Sequence, residues 1–148
     1  MNSALLQIAQ AYVAALLAPT ALAGGRVWLN RTRPISQTDD SAIVLSLDTA
    51  RASEQVLGAL DFESEIRVIC FVRAVGITAE PAAAVDALLM AAWGRVQAVD
   101  NPALGMTGPA QLDGLDYDFA DLDSTLVSAT LRLRVQHRTT TTSLAPWA

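Results

Sequence analysis

The chain has no lysine, one histidine (His137) and one cysteine (Cys70) in 148 residues. All ten basic side chains are arginines, which stay protonated and make poor general bases. A single cysteine cannot form an intramolecular disulfide, so the fold is built without covalent staples, which suits a cytoplasmic folding environment. No nucleophile stands beside an evident base, and no glycine-rich phosphate loop is present. These absences point away from an enzyme and toward a protein that works through its surfaces. No catalytic residue, metal or cofactor is expected.

Basic charge is also scarce. The formal charge is −5 and the isoelectric point about 4.6, which argues against a general nucleic-acid binder. No apolar run approaches the ~20 residues that would span a membrane. Residues 11–18 are apolar, and Ala21-Leu22-Ala23 resembles a peptidase site. However, the first 25 residues carry no basic side chain, and Gln7 and Gln10 interrupt the run, so no secretory signal is expected. What is present is apolar bulk. Hydrophobic residues make up 52% of a chain whose length fits one domain, 1–148.

Residues 3–17 place Leu5, Leu6, Ile8, Ala9, Tyr12, Val13, Leu16 and Leu17 on a 3.6-residue period, with Ser3 able to cap the start. A short strand, Arg26 to Asn30, and a polar loop to Asp40 follow. The apolar run Ala42 to Leu47 reads as an interior strand. Residues 48–61 show no period and are expected to be a polar connection. Residues 62–76 alternate, with Ile66, Val68, Cys70, Val72 and Ala74 on one side and Glu63, Glu65, Arg67 and Arg73 on the other. Ile69 and Phe71 leave that second side partly apolar, a surface that calls for cover. Thr78 is a candidate cap for a second helix, with Glu80 and Pro81 in its first turn and an end near Val99. A hairpin closes the chain, Leu112 to Phe119 and Thr125 to Arg138, joined around Asp121 to Asp123. Residues 139–148 are expected to be a polar C-terminal tail. The order is α-β-β-β-α-β-β, an α+β fold with a mostly antiparallel sheet and two main helices packed on it.

Three groups of residues invite a functional reading. Asp113, Asp116, Asp118, Asp121 and Asp123 crowd eleven positions, but their spacing does not match a calcium loop. Asp116 and Asp118 alternate with Tyr117 and Phe119, which suits the outer face of a strand that is salt-bridged or faces a partner. If the hairpin closes near residue 122, these aspartates share a face with Arg132 and Arg134. The loop 30–40 holds Arg31 and Arg33 before Pro34 and ends in Asp39 and Asp40; it reads equally as an anion grip and as an ordinary solvated loop. The arginine row of the last strand has no interleaved aromatics to stack bases, so a solvated or subunit-facing surface is favoured over a nucleic-acid groove. Cys70 lies on an apolar strand face, where an inert thiol is expected, and His137 is expected at a strand end near the surface.

The chain resembles the tail terminator proteins of long-tailed bacteriophages, the group that includes the minor tail protein U of phage lambda. The segments that carry the resemblance are the N-terminal helix leading into Arg26-Val-Trp-Leu-Asn-Arg-Thr-Arg-Pro-Ile35 and the strand Ala42-Ile-Val-Leu-Ser-Leu47. They continue with Glu65-Ile-Arg-Val-Ile-Cys-Phe-Val-Arg-Ala-Val75, the helix containing Ala84-Val-Asp-Ala-Leu-Leu89, and Ala129-Thr-Leu-Arg-Leu-Arg-Val-Gln-His-Arg-Thr139.

That resemblance implies a single tail-terminator-like domain that assembles with itself into a homohexameric ring. The ring would cap the tail tube, end its polymerisation and provide the surface for head attachment. Its expected partners are the tail tube protein and the head–tail connector or neck proteins, with DNA passing through without specific binding. Its expected place is the head-proximal end of the tail in the virion, and the host cytoplasm during assembly. The subunit or tube interface would draw on Arg31, Arg33, Asp39, Asp40, Asp116, Asp118, Asp121, Asp123, Arg132 and Arg134. Another head–tail joining, neck or tail-completion protein is the alternative within the same class. A small α+β ligand-binding or enzymatic domain is the alternative of a different class, and no set of convergent polar residues can be named for it.

Overall fold

The computed structural model of the chain describes residues 2–36, 38–73, 80–119 and 126–147. Helix α1 (Ala4–Leu17) leads to β1 (Val27–Leu29), then to the long strands β2 (Ser41–Val56) and β3 (Ala59–Arg73). Helix α2 (Pro81–Val96) precedes β4 (Gln111–Asp118) and β5 (Leu126–Thr140). The strands form a five-stranded sheet in the order β1-β2-β3-β5-β4. Only β1 and β2 run parallel; the other neighbours are antiparallel. The fold is α+β.

Both helices pack on one face of this sheet. In α1, Ser3 caps the start by accepting a hydrogen bond from the Leu6 amide at 3.4 Å, and Ile8, Tyr12 and Leu16 recur every fourth residue on the buried side. The other end of α1 is tied to α2, because the Arg95 guanidinium donates to the carbonyls of Leu16 at 3.3 Å and Ala18 at 3.0 Å. A cation on these orphan carbonyls opposes the negative end of the helix dipole. Helix α2 begins at Pro81, where a missing N–H costs nothing, and buries Val85, Leu89, Ala92 and Val96. Its end at Val96 falls three residues before the expected Val99. Thr78, the expected cap, lies outside the described residues. The helices meet Ile43, Leu45, Ile66, Val68, Cys70, Leu131, Leu133 and Val135 in one core.

Two expectations are corrected. Residues 48–56 do not form a connection: β2 continues to Val56 and turns through Leu57 and Gly58 into β3. Both turn residues have positive φ, 43° and 86°, the twist a two-residue hairpin loop requires. The register shifts twice, between Leu47 and Thr49 and between Ala52 and Glu54, so the alternation of sides breaks and the sequence shows no strand period there. His137 is not near the surface. It is 2% exposed, pairs opposite Phe62 and stacks on that ring at 5.4 Å.

The chain end is built into the sheet. Thr139 and Thr140 complete β5, Pro146 bridges back to Thr139, and the Leu144 carbonyl accepts from the Ala4 amide at 2.9 Å. Gly105 makes this closure possible: at φ +80° it passes so close to the Arg138 carbonyl that a Cβ would collide with it.

Candidate functional site

The face of the sheet away from the helices is a charged surface with an apolar end. Successive rows across β2, β3, β5 and β4 run Thr49–Glu65–Arg134–Gln111, then Ser46–Arg67–Arg132–Gly114, then Val44–Ile69–Thr130–Asp116. Arg67 pairs with Asp48 at 3.1 Å, Arg132 with Asp116 at 3.1 Å and Arg134 with Glu63 at 3.5 Å. Arg134 also donates to Gln111 Oε1 at 2.8 Å. Arg67 and Arg132 lie directly opposite each other, so their acidic neighbours relieve a like-charge contact. Such half-exposed pairs contribute little stability singly, and their main effect is to order the arginine row.

The residues singled out from sequence fall into two groups at opposite edges of the sheet. Asp116 and Asp118 pair opposite Thr130 and Ser128, which puts them on the same face as Arg132 and Arg134. Asp121 and Asp123 lie outside the described residues. The other group surrounds β1. Arg31 stacks its guanidinium 3.8 Å above the centre of the Trp28 ring and donates to the carbonyls of Arg33 and Pro34. The loop is held down by Arg73, which donates to the carbonyls of Asp39 at 3.2 Å and Ser36 at 3.0 Å. Asp39 lies 3.9 Å from Arg26, while Arg33 and Asp40 are exposed. The loop is therefore a braced structure, with Arg31 engaged internally and Arg33 directed outward. Four strand spacings of about 4.8 Å separate the edges, so the two groups lie roughly 19 Å apart within one chain.

Sequence reasoning missed a second set. On β4 the side opposite the aspartates carries Leu112, Leu115 and Tyr117, with Phe119 stacked on Tyr117 at 5.8 Å. These four side chains are 41%, 42%, 46% and 44% exposed. The alternation was legible, but that neither α1 nor α2 covers this edge was not.

The structure offers little for nucleophilic catalysis. Cys70 pairs opposite Ala129, eight residues along β3 from the Phe62–His137 pair, or about 27 Å. Burial pushes the Cys70 thiol up to about 12. His137 instead shares a 2.8 Å hydrogen bond with Ser64, but both are enclosed, at 2% and 1% exposure. Desolvation lowers His137 to about 4, so the ring is neutral at neutral pH. At the same end of the sheet Asp61 makes a bidentate contact with Arg138, at 2.6 and 3.0 Å, and this hydrogen bonding holds its carboxyl below the usual range. Among the described residues no three His, Cys, Asp or Glu side chains gather to hold a metal ion. No helix among them is long and apolar enough to cross a membrane.

No family model matches the chain, and no curated protein matches it. Solved structures do. A chain of the virion of a native gene transfer agent particle superposes with a TM-score of 0.62, covering 87% of this chain and 92% of that one at 15% identity. At that identity the likeness establishes the fold. A chain from the sheath/tube terminator of PVC, an extracellular contractile injection system in its extended state, aligns at 10% identity with a TM-score of 0.39. That alignment covers all of this chain and 62% of the other.

Proposed function

We propose that this chain is a virion structural protein of the tail-terminator type. In this reading copies of it form a homohexameric ring at the head-proximal end of a tail tube. The ring caps the tube, ends its polymerisation and presents the surface on which the head connector or neck proteins dock. DNA passes through the opening without specific binding, which suits a chain of net charge −5.

The observation that carries the reading is the near full-length fold shared with a gene transfer agent virion chain. The two sheet edges support it, since one is arginine-bearing and the other acidic and apolar. A subunit with two unlike lateral surfaces is suited to head-to-tail contacts that close into a ring. The arginine and aspartate groups, with Asp121 and Asp123 among them, are proposed to serve those contacts or the contact with the tube.

Negative-stain electron microscopy of the protein alone and mixed with its tail tube protein tests this. The expected result is six-fold rings and tubes capped at one end. Binding to neck proteins with no effect on tube ends would favour the neck or tail-completion alternative. A protein that forms no ring and leaves tube growth unchanged would end the terminator reading.

A further inference from the structure

The β4 edge poses a problem that the ring reading by itself leaves open. Every residue of β4 except Gly114 is exposed, among the described residues its backbone pairs only with β5, and one of its faces is an apolar stripe. An unprotected edge strand with large apolar side chains is a template for strand addition and an aggregation hazard unless something pairs with it.

We infer that the β4 edge is the seat of a second copy of this chain, which meets it with its β1 edge so that the two sheets join side by side. This rests on the ring reading and specifies how neighbouring subunits meet. The two edges match on both faces. On the outer face, β4 carries Asp116 and Asp118, and Asp113 has no ion pair among the described residues. On the same outer face of the β1 edge stands Trp28 with Arg31 stacked on it, followed by Arg33, whose side chain has no ion pair among the described residues. On the helix-side face, β4 carries Leu112, Leu115 and Tyr117. There the β1 edge offers half-buried Leu29 and, from the end of α1, Leu17 at 37% exposure. Joining β4 to β1 therefore sets acid against base outside and apolar against apolar inside. Joining β4 to β4 would bring two rows of aspartates together, which like-charge repulsion disfavours. The β4–β1 contact is head-to-tail, the kind that closes into a ring.

Sedimentation velocity over a wide concentration range tests the inference, with circular dichroism confirming that each variant stays folded. Leu115→Asp with Tyr117→Asp alters only exposed side chains and is expected to raise the assembly concentration roughly 100-fold. Asp113→Arg and Arg33→Glu, made separately, are each expected to raise it about tenfold, and combined on one chain to restore most of the loss. Assembly of the stripe variant at the wild-type concentration would overturn the inference, whether or not that variant still caps tubes. So would tighter association of Asp113→Arg alone, the mark of a β4–β4 dimer. A wild-type protein that stays monomeric up to its solubility limit would overturn it as well. If wild-type rings form, the stripe variant cannot form them, and the rings ignore tube ends, the edge contact stands and the terminator reading fails.

Discussion

The two halves of β2 are one continuous strand in opposite environments. Ala42 to Leu45 is buried on both faces: the helices cover Ile43 and Leu45, and Ala42 and Val44, which point to the other side, are buried as well. From Asp48 to Val56 every residue is exposed, and Leu57 at the turn is 96% exposed. The first half is held by packing. The second is held by its ladder with β3 and by the turn, with almost no apolar burial of its own. Pairing thus carries the strand past the end of the core that anchors it, and local stability is expected to drop along the strand.

The largest break should come from the packed half. Leu45→Ala removes a fully buried side chain and is expected to cost about 3 kcal/mol. Chemical denaturation measures this, and a loss below about 1 kcal/mol would mean the core collapses around the gap.

A pH effect should separate the halves next. The sheet face beside the exposed half buries Ser64, His137 and Thr139, whereas the face beside the packed half is apolar. Folded His137 has its pKa depressed to about 4 from 6.5. Between those values the unfolded chain takes up a proton that the folded chain does not, so this stability is present above pH 6.5 and is lost as the pH falls toward 4. The loss is expected to be on the order of 2–3 kcal/mol at pH 4. Comparing His137→Gln with wild type at pH 7 and 4.5 isolates it. An identical pH slope in the two proteins would remove His137 as the cause.

A smaller change sharpens the comparison in the other direction. Leu57 sits at φ 43°, where asparagine is tolerated better than leucine. Leu57→Asn should stabilise the hairpin by about 0.5–1 kcal/mol, read as slower amide exchange in residues 49–56. Slower exchange spread evenly over the whole sheet would point to a global effect instead. The smallest expected effect is Arg51→Ala in the exposed half, within about 0.5 kcal/mol of wild type. A loss above 1 kcal/mol would show that the charged face contributes more than its exposure suggests.

Legibility followed periodicity. Helix α1 follows from its 3.6-residue period and the apolar faces of β3 and β5 from regular alternation, whereas the shared face of Asp116 with Arg132 follows only once a hairpin closure near residue 122 is assumed. The far half of β2 was hidden by two bulges, each of which reverses which side a residue faces. His137 was misplaced because its alternation with Val135 marks it as inward-facing, but nothing local says how far the core reaches. Met106 bridges opposite His137, and it is the return of the chain after α2 that closes that end. The candidate surface was partly legible in the same way. The charges were countable, while their division between two edges, and the bareness of the apolar side of β4, depended on strand order.

By itself the sequence determined the α+β class and the inward and outward faces of β3 and β5, because these follow from local periods and residue chemistry. The tertiary structure alone decided that β1 and β4 are the edges, that α1 and α2 leave the inner side of β4 uncovered, and that Arg31 and Arg33 stand at one edge while Asp116 and Asp118 stand at the other. Strand order is a non-local property: it comes from which apolar faces pack together, and a linear pattern carries no record of that choice.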